Sequence, residues 1–121
     1  MVKQIRKTNP QLVELIKDLK KNAFEHEAPI WKDIALRLEK PARNWSVVNL
    51  DKIDKYINEK ETALIPGKVL SSGNLSKKVS IAAFAYSETA KEKIKKAGGT
   101  ALSIPELIKN NPTGKNIRIL G

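Results

Sequence analysis

Val79-Ser80-Ile81-Ala82-Ala83-Phe84-Ala85-Tyr86, followed by Ser87 and a helical stretch from Glu88 to Ala97-Gly98-Gly99, decides the fold of this 121-residue chain. The first eight residues predict a strand, Ser87 supplies a capping hydroxyl, and a glycine at 98–99 takes the left-handed angle that closes a helix. The same strand, cap and helix grammar returns on both sides. Upstream it reads Val48-Asn49-Leu50-Asp51-Lys52-Ile53 and downstream Leu102-Ser103-Ile104-Pro105-Glu106-Leu107, the latter with a capping box and a proline in the first turn. Repetition of this unit argues for an α/β layer with partly parallel strands. Its spacing is too irregular for a solenoid.

Working outward, Pro66-Gly67 predicts a turn into another short strand at Lys68-Val69-Leu70, and Ser71-Ser72-Gly73-Asn74-Leu75-Ser76-Lys77-Lys78 a polar loop back to the long strand. Toward the N-terminus, Thr8-Asn9-Pro10 starts a helix with an apolar stripe at Leu12, Leu15, Ile16, Leu19 and Ala23. Pro29 opens a second, carrying Ile30, Trp31, Ile34, Ala35 and Leu38 and ending before Pro41. The segment 110–116 should be irregular, and Ile117-Arg118-Ile119-Leu120 pinned to the body. The expected architecture is α/β: an N-terminal helical hairpin packed on an irregular layer of short, partly parallel strands with short helices. It forms a single domain over 1–121, divided into 1–44 and 45–121.

Composition narrows the function. The chain has a formal net charge of +10 and no cysteine, which excludes disulfides, thiol nucleophiles and cysteine-ligated metals. No apolar run approaches a membrane span, and the chain reads as cytosolic. The acid-free windows 1–13, 40–50, 62–87 and 107–121 hold 11 of the 23 lysines and arginines. The helical windows between them are nearly balanced. Cation-only loops around neutral helices suit a protein that approaches phosphates, so nucleic acid is the expected partner; the bland alternative is a merely soluble basic surface.

Three places carry candidate contacts. The N-terminal Lys3, Arg6 and Lys7 form a basic start. Lys40 and the trio Arg43-Asn44-Trp45 combine guanidinium, amide and indole in a connection, suited either to RNA contact or, for Trp45, to packing the helices onto the sheet. In the loop 71–78, Ser71, Ser72 and Ser76 offer hydroxyls, Gly73 lets backbone N–H groups approach an anion closely, and Lys77 and Lys78 supply adjacent charge, although an ordinary hairpin loop fits the same residues. Gly67-Lys68 is not a nucleotide-hydrolase motif, because Val69 follows and the upstream glycine is missing. His26 is the sole histidine, which forbids a two-histidine metal site; no catalytic residue is expected. Lys91, Lys93, Lys95 and Lys96 read as a solvated helix face.

The stretch Leu64-Ile-Pro-Gly-Lys-Val-Leu-Ser-Ser-Gly-Asn-Leu, a strand from Lys77-Lys78-Val79, the helix start Ser87-Glu88-Thr89-Ala90, Ala97-Gly98-Gly99, Thr8-Asn9-Pro10, Ala28-Pro29-Ile30-Trp31 and the closing Asn-Pro-Thr-Gly together resemble large-subunit ribosomal protein eighteen of archaea and eukaryotes. The likeness extends over essentially the whole chain. It implies a fold shared with bacterial large-subunit protein fifteen and a cytoplasmic, structural role on the ribosome. Its partners would be large-subunit ribosomal RNA and neighbouring large-subunit proteins. It implies no cofactor, no metal, no catalysis, no membrane and no small-molecule substrate. Carried over, RNA contact falls on Lys40, Arg43, Asn44, Lys68, Ser71, Ser72, Lys77, Lys78, Lys115 and Arg118. A free-standing RNA- or DNA-binding module is the alternative. On either reading, 71–78 and 110–116 are expected to stay mobile until RNA supplies counter-charge.

Overall fold

A computed structural model describes residues 10–58 and 60–121. Helices α1 (Pro10–Glu25) and α2 (Pro29–Leu38) come first, then a 3₁₀ turn (Ala42–Asn44). There follow β1 (Ser46–Asn49), α3 (Leu50–Tyr56), β2 (Thr62–Leu70), β3 (Ser80–Tyr86), α4 (Glu88–Lys96), β4 (Thr100–Ser103), α5 (Ile104–Asn110) and β5 (Ile117–Ile119). The Thr8-Asn9 cap, like Lys3, Arg6 and Lys7, lies outside the described residues.

Every pairing in the sheet is parallel, which sharpens the expectation of partly parallel strands. Strand β2 is its axis. One edge of β2 pairs with β3, which in turn pairs with β4. The other edge is shared: β5 lies along Thr62–Leu64 and β1 along Gly67–Leu70.

Two sequence expectations are corrected here. Pro66-Gly67 is not a turn, because β2 runs straight through it, with only a register shift against β3 between Ile65 and Lys68. A buried strand absorbs the proline because the ladder changes partner at that point, where a missing N–H costs least. The loop 71–78 is likewise no hairpin, since β2 and β3 are parallel and it must run back the length of α3. Strand β3 starts at Ser80, one residue after the expected Val79, and ends at Tyr86 as expected.

A parallel sheet is ordinarily covered on both faces, and helices pack on both faces of this one, leaving open only one face of β1 and the adjoining end of β2. Leu64 and Ala82 meet Leu12, Leu15, Ile16 and Leu19 of α1, Trp31, Ile34 and Leu38 of α2, and Ile104 and Leu107 of α5. The alternate residues Ala63, Ile65, Ile81 and Ala83 meet Leu50 and Ile53 of α3 and Ala90 and Ile94 of α4. Caps follow the sequence closely. Ser87 accepts from the Ala90 amide, Ser103 and Glu106 close a full capping box, and Gly98 takes φ +80°. The Glu106 carboxyl is held below its ordinary value by the Ser103 amide and hydroxyl.

Strands β1 and β2 leave no room for a side chain at Gly67. A Cβ on Gly67 would collide with the Ser46 carbonyl oxygen, a backbone atom that cannot swing aside. Gly67→Ala should therefore destabilise the chain by about 2 kcal/mol, the usual scale of overpacking. A urea midpoint equal to that of the parent chain would contradict this contact.

Candidate nucleic-acid interface

The connection after α2 is tightly built. The Asn44 amide donates to Pro41 O at 2.8 Å, forming the 3₁₀ turn that leaves Arg43 and Asn44 exposed. Trp45 is packed rather than projecting: its Nε1 donates to Lys40 O at 3.0 Å, and its ring meets Phe84 edge-on at 4.8 Å. Of the sequence trio, the guanidinium and the amide face outward while the indole fastens the turn to the sheet. A groove of about 610 Å³ runs beside it, lined by Leu36, Arg37, Lys40, Asn44, Trp45 and Ser46.

Strand β1 leads directly from this turn, and its register sets Val47 beside Lys68 of β2. Val48 and Val69, the next pair, are fully buried beneath α3, whereas Val47 is 60% exposed and Lys68 is exposed. This half of the sheet therefore shows one uncovered face. From Lys68 the chain reaches Ser71 and Ser72 three and four residues on. Arg43, Asn44, Lys68, Ser71 and Ser72 thus lie along one strip of about 25 Å at the strand rise per residue, with Lys68 near its middle.

The loop 71–78 is fastened along its whole course. Ser72 O accepts from the Asp51 amide at 3.2 Å. The Ser76 amide and hydroxyl both donate to Asp54 Oδ1 at 2.9 Å. Lys77 Nζ donates to Asp54 O at 2.6 Å and Ile57 O at 2.9 Å, satisfying carbonyls that the end of α3 leaves open. The Asp54 carboxyl is pushed up by burial, but the Ser76 bonds and the Lys77 charge outweigh this and hold it below the ordinary 3.8.

Lys77 is therefore a clamp on α3, and Lys78 lies beside Gly98 with its own stem; both stand at the strand-start end, away from Ser71 and Ser72. Arg118 and Lys115 also sit apart from the strip. Arg118 lies on β5 opposite Ala63, with Glu61 at 3.9 Å, and the Lys115 amide donates to Asn111 Oδ1. The segment 110–116 is built in as well: Pro112 O accepts from Trp31 Nε1 at 2.8 Å and Asn22 Nδ2 at 3.2 Å. Both segments therefore make hydrogen bonds to the body of the chain.

Sequence reasoning missed Lys93. Read as one of four solvated lysines, it is half-buried, and its ammonium donates to Ser71 O at 2.8 Å and Gly73 O at 3.0 Å. The signal was present in the spacing, since residue 93 lies on the Ala90–Ile94–Ala97 stripe of α4. Among the described residues no cluster of histidines and carboxylates is arranged to hold a metal, and no helix is long and apolar enough to cross a membrane.

Comparison with known proteins places this geometry. A family model described as ribosomal proteins 50S-L15 and 50S-L18e, together with a 60S counterpart, matches residues 47–102, from β1 through β4. The chain is 48% identical over 120 residues to the large ribosomal subunit protein eL18 of Methanothermobacter thermautotrophicus, covering 99% of both chains. It is 50% identical to that of Methanococcus maripaludis, covering 98% of this chain and 99% of the relative. It is 47% identical to that of Archaeoglobus fulgidus, covering 96% and 99%.

The Asp54–Ser76 bond has a measurable titration. A carboxyl lowered by folding contributes stability above its unfolded value near 3.8, and that contribution is lost as the pH falls through the lower folded value. The Asp54 carboxyl carbon should titrate below 3.8 in the native chain, and Ser76→Ala should raise its midpoint. A native midpoint at or above 3.8 would show that the loop is not held there.

Proposed function

The chain belongs to the eL18 family of large-ribosomal-subunit proteins, and from that premise we propose that it binds and stabilises folded ribosomal RNA through the strip formed by Arg43, Asn44, Lys68, Ser71 and Ser72. One observation carries this reading: exposed cationic and polar groups converge on a half-sheet whose outer face the chain's own helices leave uncovered. A shallow, rigid surface of this kind suits the wide minor groove and sugar–phosphate rails of an RNA helix better than it suits base-by-base readout. The chain carries out no reaction in this role, needs no cofactor or metal, and works in the cytoplasm beside other proteins of the large subunit. Lys40 flanks the strip; Lys78, Lys115 and Arg118 offer further phosphate contacts at the opposite end of the strands.

The geometry also changes which lysines ought to matter. Lys77 and Lys93 spend their ammonium groups on backbone carbonyls, so removing them tests the loop rather than the phosphate contacts. Arg43 and Lys68 are the informative pair.

Binding to a large-subunit RNA transcript should weaken steeply with salt, through counterion release. Arg43→Gln with Lys68→Gln should flatten the log-affinity against log-salt slope by roughly one to two units, because up to two phosphate contacts are lost. Lys95→Gln with Lys96→Gln removes the same charge from α4 and should change the slope far less. Equal effects of the two doubles would reduce the basic surface to a diffuse attraction. In cells the chain should stay with the large subunit through a high-salt wash; release at moderate salt would favour a free-standing module.

A further inference from the structure

The loop that leaves β2 turns three successive carbonyls toward the protein. Ser71 O and Gly73 O accept from the Lys93 ammonium, and Ser72 O from the Asp51 amide. A trans peptide unit points its N–H opposite to its C=O. The amides of Ser72, Gly73 and Asn74 therefore point away from those donors. None of the three donates a hydrogen bond to any described residue. Gly73 has φ +86°, a left-handed angle that glycine adopts without strain and that one half of an anion-receiving backbone concavity uses. The loop also hugs α3 so closely that a Cβ on Gly73 would collide with the Asp51 side chain, whose carboxylate is the opposing charge at this spot.

We propose that Lys93 is a positioning residue that holds the Ser72, Gly73 and Asn74 amides outward as a receptor for a ribosomal RNA phosphate oxygen. The proposal rests on the reading that this end of the sheet meets ribosomal RNA. Helix α4, through a lysine whose hydrogen bonds go to protein carbonyls, sets the shape of the contact. The ammonium supports the loop from behind while neutral backbone donors meet the anion. A lysine is suited to this because its three donors, on a flexible stem, reach two carbonyls that are not coplanar.

The test uses the full chain and a large-subunit ribosomal RNA transcript. Lys93→Gln should bind about tenfold more weakly, the order expected when hydrogen bonds to a charged oxygen are lost, with little change in salt slope because no cation leaves the interface. In the free variant the Asp51 amide should exchange faster while those of Leu15 and Leu19 stay protected. Lys95→Gln, on the same helix with the same charge loss, should cost about twofold or less. Lys93→Arg, which keeps donors for both carbonyls, should recover most of the affinity. In the unaltered protein, adding the RNA should move the Ser72, Gly73 and Asn74 amide resonances downfield, a readout that does not depend on any variant folding. Unmoved resonances, or Lys93→Gln binding as the parent does, would overturn the proposal. If Arg43→Gln with Lys68→Gln still weakened binding, the RNA reading would survive that failure; if it did not, both would fall.

Discussion

Strand β2 has two different neighbours on one edge, and the rest of the molecule is arranged around that constraint. A strand of nine residues with Pro66 inside it cannot donate to the ladder at that point. The fold resolves this by changing partner there, with β5 on one side of the proline and β1 on the other. Closing the sheet therefore requires the last strand of the chain. The C-terminal segment is tied to the N-terminal helices by the Trp31 indole on Pro112 O, and the Thr62 and Leu120 amides bond across β2 and β5 at 2.8 and 3.0 Å. The same division leaves β1 and the end of β2 with one face beyond the reach of α1 and α2, and it is there that Val47 and Lys68 stand exposed.

The charge of the chain serves two purposes that its composition does not separate. Some cations satisfy backbone carbonyls in partly buried places, where an unbonded carbonyl would be costly. Lys77 does this for the end of α3 and Lys93 for the loop after β2. Others, such as Lys95, Lys96 and Lys68, reach solvent with no hydrogen bond or ion pair to a described residue. The net charge of +10 therefore overstates what is available to phosphate. The loop 71–78 is held by these cations and by the Asp54 carboxylate.

Much of the fold was legible because the signals were local. Ser87, Ser103 with Glu106, Gly98, Pro10 and Pro29 each announce a helix end through their own side chain or backbone, and the apolar stripes of α1 and α2 name their buried faces. The path through Pro66-Gly67 was not legible, because what tolerates it is a partner strand more than fifty residues downstream. Candidate contacts divided in the same way. Arg43, Asn44, Ser71 and Ser72 were recognisable from residue type, and Lys68 from its acid-free surroundings. That these share one strip depends on the parallel register of β1 with β2, and that Lys77 and Lys93 are consumed by carbonyls depends on tertiary packing alone.

Density for this chain within an assembled large subunit tests the central claim most directly. The account predicts RNA backbone against the uncovered face of β1 and β2, with phosphate oxygens in hydrogen-bond reach of Arg43, Lys68 and the amides following Ser71. Protein or bulk solvent over that face, with RNA meeting instead the exposed side of α4 at Lys95 and Lys96, would contradict it.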